Sequence, residues 1–165
     1  IRDSVYSGVG KVNATIATMD AIAKGATKII NFGTAGLVTK KKNLINTLVE
    51  VDVVLQRDMN AQPLSPRGIT PYENGETAGA ILLNTGSNIT LGTGDSFVTE
   101  KDEWFDYSSV DIVDMECYSI AKVCKQKQIP FQSYKWITDF ADENADVDWQ
   151  ENIANGGTAF RRVLS

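Results

Sequence analysis

At 165 residues, with 42% apolar and 22% charged side chains and a net charge of -5, the chain has a globular balance that excludes disorder and fibrous structure. Its basic residues are scattered apart from Lys40-Lys41-Lys42, which reads as a solvated loop, so a basic nucleic-acid face is excluded. No apolar run approaches the ~20 residues of a membrane span, and the absence of histidine removes Ser-His-Asp and Cys-His catalysis and His-ligated zinc.

Acid–base chemistry must therefore fall to Asp, Glu, Lys, Tyr or water. Cys117 and Cys124 lie in a segment that reads as helix. At helical rise their Cα atoms would be roughly 10 Å apart, too far for a disulfide. They are expected to be small core residues of a reduced, cytoplasmic protein. The length suits one domain over residues 1–165, burying roughly 70% of its unfolded surface. The chain opens on Ile1-Arg2-Asp3 rather than methionine, and a native segment is expected to precede it.

In chain order, Val5-Tyr6-Ser7 reads as the end of a strand, followed by Gly8-Val9-Gly10. Val12, Ile16, Met19 and Ile22 recur at helical spacing and predict a helix over Lys11–Lys24, ended by Gly25. Thr27–Phe32 is a predicted buried strand that closes on Gly33-Thr34-Ala35-Gly36, and Leu48–Leu55 is another. Arg57 to Gly79 carries three prolines and three glycines with little periodicity, the mark of a long irregular loop. Asn88–Gly92 and Val110–Val113 are predicted strands, and a helix runs from about Met115 to Lys127. Phe131–Ile137 is the last predicted strand and Trp149–Leu164 the last helix. Apolar strands alternating with periodic helices predict an α/β protein.

Ligands of open α/β sheets bind beyond the carboxyl ends of the strands. Four such ends stand out: Gly33-Thr34-Ala35-Gly36, Gly94-Asp95-Ser96-Phe97-Val98, Asp114-Met115-Glu116 and Thr138-Asp139-Phe140-Ala141-Asp142. Each has an ordinary alternative. A glycine-rich strand end can be a tight turn, Asp139 can be an N-cap, Glu116 can complement a helix dipole, and Phe97 can be core.

Read together they resemble a family pattern. Gly8-Val9-Gly10-Lys11-Val12-Asn13-Ala14, Asn31-Phe32-Gly33-Thr34-Ala35-Gly36, Thr93-Gly94-Asp95-Ser96-Phe97, Val113-Asp114-Met115-Glu116 and Ile137-Thr138-Asp139 occur in that order. The chain resembles the purine nucleoside phosphorylase and nucleosidase superfamily, most closely the 5′-methylthioadenosine/S-adenosylhomocysteine nucleosidases. The resemblance implies a three-layer α/β/α fold around a twisted, mainly parallel mixed sheet. It also implies hydrolysis of an adenine nucleoside to free adenine and a ribose derivative, in a homodimer, without metal or organic cofactor.

By the same resemblance, Phe97 would stack on the adenine and the backbone of Val98 would bond the base edge. Met115 would pack against the ribose, and Glu116 would accept hydrogen bonds from its hydroxyls. Asp139 would donate a proton to purine N7. Thr34 and Gly36 would border the pocket on the water side. The chemistry fits: breaking an N-glycosidic bond develops oxocarbenium character, so an acid is needed on one side and an activated water on the other. In the nucleosidases a Glu near the native N-terminus activates that water, and nothing before Gly8 matches it. Val51 stands where the family has glycine, and the Arg57–Tyr72 loop, beside the expected 5′ group, does not match. Related phosphorylases place an arginine where this chain has Asn31, which favours water over phosphate as the nucleophile. A phosphorylase and a non-catalytic nucleoside-binding protein are the alternatives.

Overall fold

The computed structural model describes residues 4–75, 77–100, 102–141 and 156–165. Its strands are β1 (Ile29–Leu37), β2 (Leu48–Glu50), β3 (Val53–Gln56), β4 (Ile81–Leu82), β5 (Thr90–Thr93), β6 (Ile112–Asp114) and β7 (Phe131–Phe140). The helices are α1 (Lys11–Ala23), α2 (Glu103–Tyr107) and α3 (Cys117–Lys127), with a 3₁₀ turn at Lys42–Leu44. Residues 156–164 are helical as well, while positions 149–155 of the predicted last helix lie outside the described residues.

All seven strands form one sheet in the order β2-β7-β1-β6-β5-β3-β4. The long β1–β7 ladder is parallel, as are β3–β5 and β5–β6, whereas β1–β6, β2–β7 and β3–β4 are antiparallel. The mixed, mainly parallel sheet expected from sequence is present. Its course through the predicted Leu48–Leu55 strand differs from that expectation. Val51 and Asp52 divide that stretch, so that β2 pairs with β7 and β3 with β5, on opposite sides of the sheet. The Val51 N–H donates to Ser133 O and the Asp52 N–H to Ile89 O, both at 2.9 Å. One nearly continuous strand thus draws the two sides together and curls the sheet toward a barrel. The carboxylate of Asp52 fixes the bend by accepting from the N–H groups of Thr85 (2.8 Å) and Gly86 (3.1 Å).

Alternation along the strands sends side chains to two cores. Ala35, Leu37, Val54, Leu91, Ile112 and Ile137 pack with Cys117, Tyr118 and Ala121 of α3. On the opposite face Phe105 of α2 packs with Val110 and Val113, and Phe32 stacks on Phe160 with ring centroids 4.3 Å apart. Helices on both faces complete the three-layer α/β/α arrangement. Both cysteines are buried and free.

Three local expectations change. Val5-Tyr6-Ser7 is not in a strand, and Tyr6 is 98% exposed. Gly33-Thr34-Ala35-Gly36 is not a turn but the second half of β1, held there by Lys135 to Asp139 of β7. The apolar stripe of α1 faces away from the protein: Val12, Ile16 and Met19 are 70%, 56% and 39% exposed, while Ala14 and Thr18 are buried. Ala14 packs with Ile120 and Cys124 of α3, and small side chains let the two helices come close.

Candidate active site

The ends of β5 and β6 and the middles of β1 and β7 meet around a buried charge cluster. Asp114, the last residue of β6, accepts from Thr93 Oγ1 at 2.6 Å through one carboxylate oxygen. The other oxygen accepts from Cys117 N at 2.9 Å and from Lys135 Nζ at 2.7 Å. Asp114 therefore caps α3 while neutralising a lysine that rises from the middle of β7. Thr93 Oγ1 in turn accepts from Tyr118 N at 2.9 Å, which ties β5 to the same helix start. The side chains of Asp114 and Lys135 are each 1% exposed. Gly33 leaves the room this needs, since a Cβ there would sit 3.2 Å from Lys135 Nζ.

Glu116 immediately precedes α3 but does not cap it. Its Oε1 accepts from Gly10 N at 3.1 Å, which fixes the Gly8-Val9-Gly10 segment against the cluster. Gly10, at φ 93°, adopts a backbone that other residues rarely tolerate. Burial raises the Glu116 carboxyl above its ordinary value, with Asp114 adding to the rise; Lys135 and the amides of Gly10 and Met115 oppose it without cancelling it. Burial, the largest single influence, lowers Lys135, but Asp114, Cys117 and Glu116 together outweigh it and leave the ammonium raised.

Asp139 lies beyond an irregularity in the β1–β7 ladder, where Ala35 pairs with Ile137 but Gly36 pairs with Asp139. Thr138 is the extra residue of this bulge, and such insertions re-aim the side chains around them. Asp139 is 4% exposed, accepts from Thr138 Oγ1 at 2.5 Å, and approaches Gly36 so closely that a Cβ there would lie 2.9 Å from Oδ1. It is a strand residue and not an N-cap.

Across from these groups runs the segment after β5. Gly94 N donates to Asp114 O at 3.1 Å, and Asp95 accepts from Lys11 N at 2.8 Å. Phe97 is 52% exposed, whereas Val98 packs against the cluster of Phe105, Val110 and Val113. Two clefts of about 270 and 300 Å³ open elsewhere, one beside Tyr6 and Asp20 and the other beside Lys41 and Asp111. Neither is lined by a candidate residue.

The profile of the Phosphorylase superfamily matches residues 4–165. The chain belongs to that superfamily. Among similar members, the 5′-methylthioadenosine/S-adenosylhomocysteine nucleosidase of Staphylococcus haemolyticus is 28% identical, over 96% of this chain and 77% of that protein. The aminodeoxyfutalosine nucleosidase of Helicobacter pylori is 29% identical, over 96% of this chain and 76% of that one. Among solved structures, the futalosine hydrolase of Helicobacter pylori superposes with a TM-score of 0.85 at 27% identity, covering 96% of this chain and 75% of that one.

In this phosphorylase-superfamily chain, Thr34 and Gly36 lie on β1, Asp139 beside them on β7, and Met115 and Glu116 between β6 and α3. Phe97 and Val98 follow β5 at the end where Met115 and Glu116 follow β6, a strand antiparallel to β1. Sequence reading missed two side chains that shape the site, Lys135 and Arg57. A single lysine amid the apolar run Tyr134-Lys135-Trp136-Ile137 was the available signal, because a strand buried on both faces has no solvated side for it. Arg57 was assigned to the irregular loop, whereas it is 4% exposed against Gly94 and Ser96.

Proposed function

We propose that this protein hydrolyses the N-glycosidic bond of an adenine nucleoside of the 5′-methylthioadenosine or S-adenosylhomocysteine type. The observation that carries the reading is a buried Asp139 at the β7 bulge, with only β1 between β7 and β6, the strand that ends at Asp114 just before Glu116. As the bond from C1′ to the purine breaks, its electron pair passes to the base. A proton from Asp139 to N7 lets the base leave neutral, a contribution of ~10² to 10⁴-fold for a general acid. Positive charge grows on the ribose. With Lys135 offsetting Asp114, the ionised Glu116 leaves the cluster one net negative charge to meet it, while accepting from the ribose hydroxyls. Phe97 would stack on the adenine, Val98 would bond its edge through the backbone, and Met115, Thr34 and Gly36 would line the sugar and water side.

Water is favoured over phosphate because the position of the phosphorylase arginine holds Asn31, and the two loop arginines, Arg57 and Arg67, are already engaged. Asn31 accepts from Ser133 Oγ at 3.0 Å. Arg57 is bonded to Gly94 and Ser96, and Arg67 to Asp102 at 2.7 Å. The outward apolar stripe of α1 supports a homodimer, and two buried free thiols fit a cytoplasmic location.

The test is adenine release from methylthioadenosine with and without phosphate, in the wild type and in Asp139→Asn. We expect equal rates in both buffers, a free ribose derivative as product, and a loss in kcat of at least ~10²-fold in the variant. Strict phosphate dependence with a sugar 1-phosphate product would make the protein a phosphorylase, and near-normal turnover in Asp139→Asn would remove that residue from the mechanism.

A further inference from the structure

Arg57 and Asp58, adjacent residues of opposite charge at the end of β3, hold three successive residues of the segment after β5. Arg57 Nη2 donates to the carbonyl oxygens of Gly94 (3.0 Å) and Ser96, and Nη1 donates to Ser96 Oγ at 3.1 Å. Between those two carbonyls, the Asp95 N–H donates to Asp58 Oδ2 at 2.9 Å. Acceptor, donor and acceptor along the backbone are thus met by cation, anion and cation. The approach is close enough to require glycine, since a Cβ on Gly94 would lie 2.9 Å from Arg57 Cζ.

The grip is anchored from behind. The Arg57 N–H donates to Thr93 O at 2.9 Å, and Arg57 O accepts from Arg67 Nε at 2.7 Å. Arg67 pairs with Asp102 at 2.7 Å and lies 4.7 Å over the Trp104 ring. Asp58 is held by Lys11 Nζ at 2.7 Å. Phe97, the residue directly after the gripped segment, is 52% exposed and belongs to none of the buried clusters. Its placement therefore depends on how firmly Ser96 is held.

We infer that Arg57 and Asp58 are positioning residues that fix segment 94–98 as the platform for the purine. The inference rests on the base-side assignment of Phe97 and Val98 above. A planar fork can meet two carbonyls and a hydroxyl at once, and an ammonium cannot copy that geometry.

Arg57→Met and Arg57→Lys are the test, read by hydrogen–deuterium exchange and by kinetics on methylthioadenosine. Exchange should speed up across 94–98 while α3 is unchanged. KM for the nucleoside and the inhibition constant of adenine should both rise by about 10- to 100-fold, with kcat much less affected, because contact with the base is lost in ground and transition states alike. Lysine should fail to rescue either readout. Unchanged exchange at 94–98, or faster exchange throughout the sheet, would overturn the clamp and leave Arg57 an ordinary core residue. Selectively faster exchange with unaltered adenine affinity would instead keep the clamp and overturn the base-side assignment. Should Arg57→Met not fold, Asp58→Ala, whose carboxylate is 28% exposed, is read in the same way with the same outcomes.

Discussion

The charged groups of the candidate site, Asp114, Lys135 and Asp139, are 6%, 1% and 4% exposed, each on or at the end of a strand, whereas Phe97 is 52% exposed in a segment without regular structure. The difference follows from the groups each region must present. Carboxylates and an ammonium out of water are tolerable only if paired and fixed, so they sit where ladders and a helix start supply partners. An aromatic face needs only to be flat and aimed, so it can stand on a loop held by its backbone. Substitutions at the paired buried charges should accordingly cost stability first, and those at the exposed aromatic platform affinity first.

The largest stability loss is expected from Lys135→Met. It leaves Asp114 buried beside Glu116 without its counter-charge, and removing one member of a buried pair costs about 3–5 kcal/mol. Chemical denaturation should register that loss, and the double variant Asp114→Asn/Lys135→Met should recover a substantial part of it. A Lys135→Met protein of wild-type stability would mean that the Asp114–Lys135 pair does not hold this part of the fold.

A smaller loss is expected from Gly36→Ala. The added methyl would meet Asp139 Oδ1 at 2.9 Å and Ala141 Cβ at 3.1 Å, and neither neighbour is the end of a long, yielding chain. Overpacking of this kind costs roughly 1–3 kcal/mol. Because the displaced group is the proposed acid, kcat should fall more than KM rises. A variant with reduced stability but normal kcat would separate Gly36 from the chemistry.

The same contrast explains what could be read without coordinates. The candidate segments were legible because glycine, acidic and aromatic residues cluster in them in order, although Gly33-Thr34-Ala35-Gly36 and Thr138-Asp139 lie within β1 and β7 and not beyond them. The partners that hold them were not. Gly33-Thr34-Ala35-Gly36 reads as a turn until Lys135 to Asp139 is known to run beside it, and glycine composition carries no trace of that neighbour. Leu48–Leu55 reads as one strand because the Asp52 side chain that bends it finds Thr85 and Gly86 more than thirty positions away. On α1 the apolar period gave the helix correctly, but periodicity alone does not say which face the rest of the protein covers. Arg57 and Lys135 share one cause: both are charged residues whose burial depends on carbonyls and carboxylates supplied by remote segments.

Glu116 offers the mildest effect on stability and the cleanest sign. Burial, then Asp114, raise its carboxyl, against the pull of Lys135 and the Gly10 and Met115 amides. The folded protein thus holds this proton more tightly than the unfolded chain. The stability it confers is complete below the ordinary carboxylate range and is lost as pH rises through the raised value, so at neutral pH the ionised group opposes folding. Glu116→Gln removes that charge yet keeps an oxygen to accept from Gly10 N. We expect its Tm to exceed that of the wild type at pH 7–8, with the gap closing as pH falls toward about 4, the usual glutamate range. The gain should come with a loss of function. A neutral amide accepts from two ribose hydroxyls less strongly than a carboxylate, so turnover of ribonucleosides should fall roughly 10- to 100-fold, hydrogen bonds to charged groups contributing about 1.5–3 kcal/mol. Turnover of 2′-deoxyribonucleosides, with one hydroxyl fewer, should fall less. A lower Tm at neutral pH with equal losses on both substrates would make Glu116 a structural anchor for the Gly8-Val9-Gly10 segment instead. A higher Tm with unequal losses is what a carboxylate kept for its substrate, at some expense to the fold, must give.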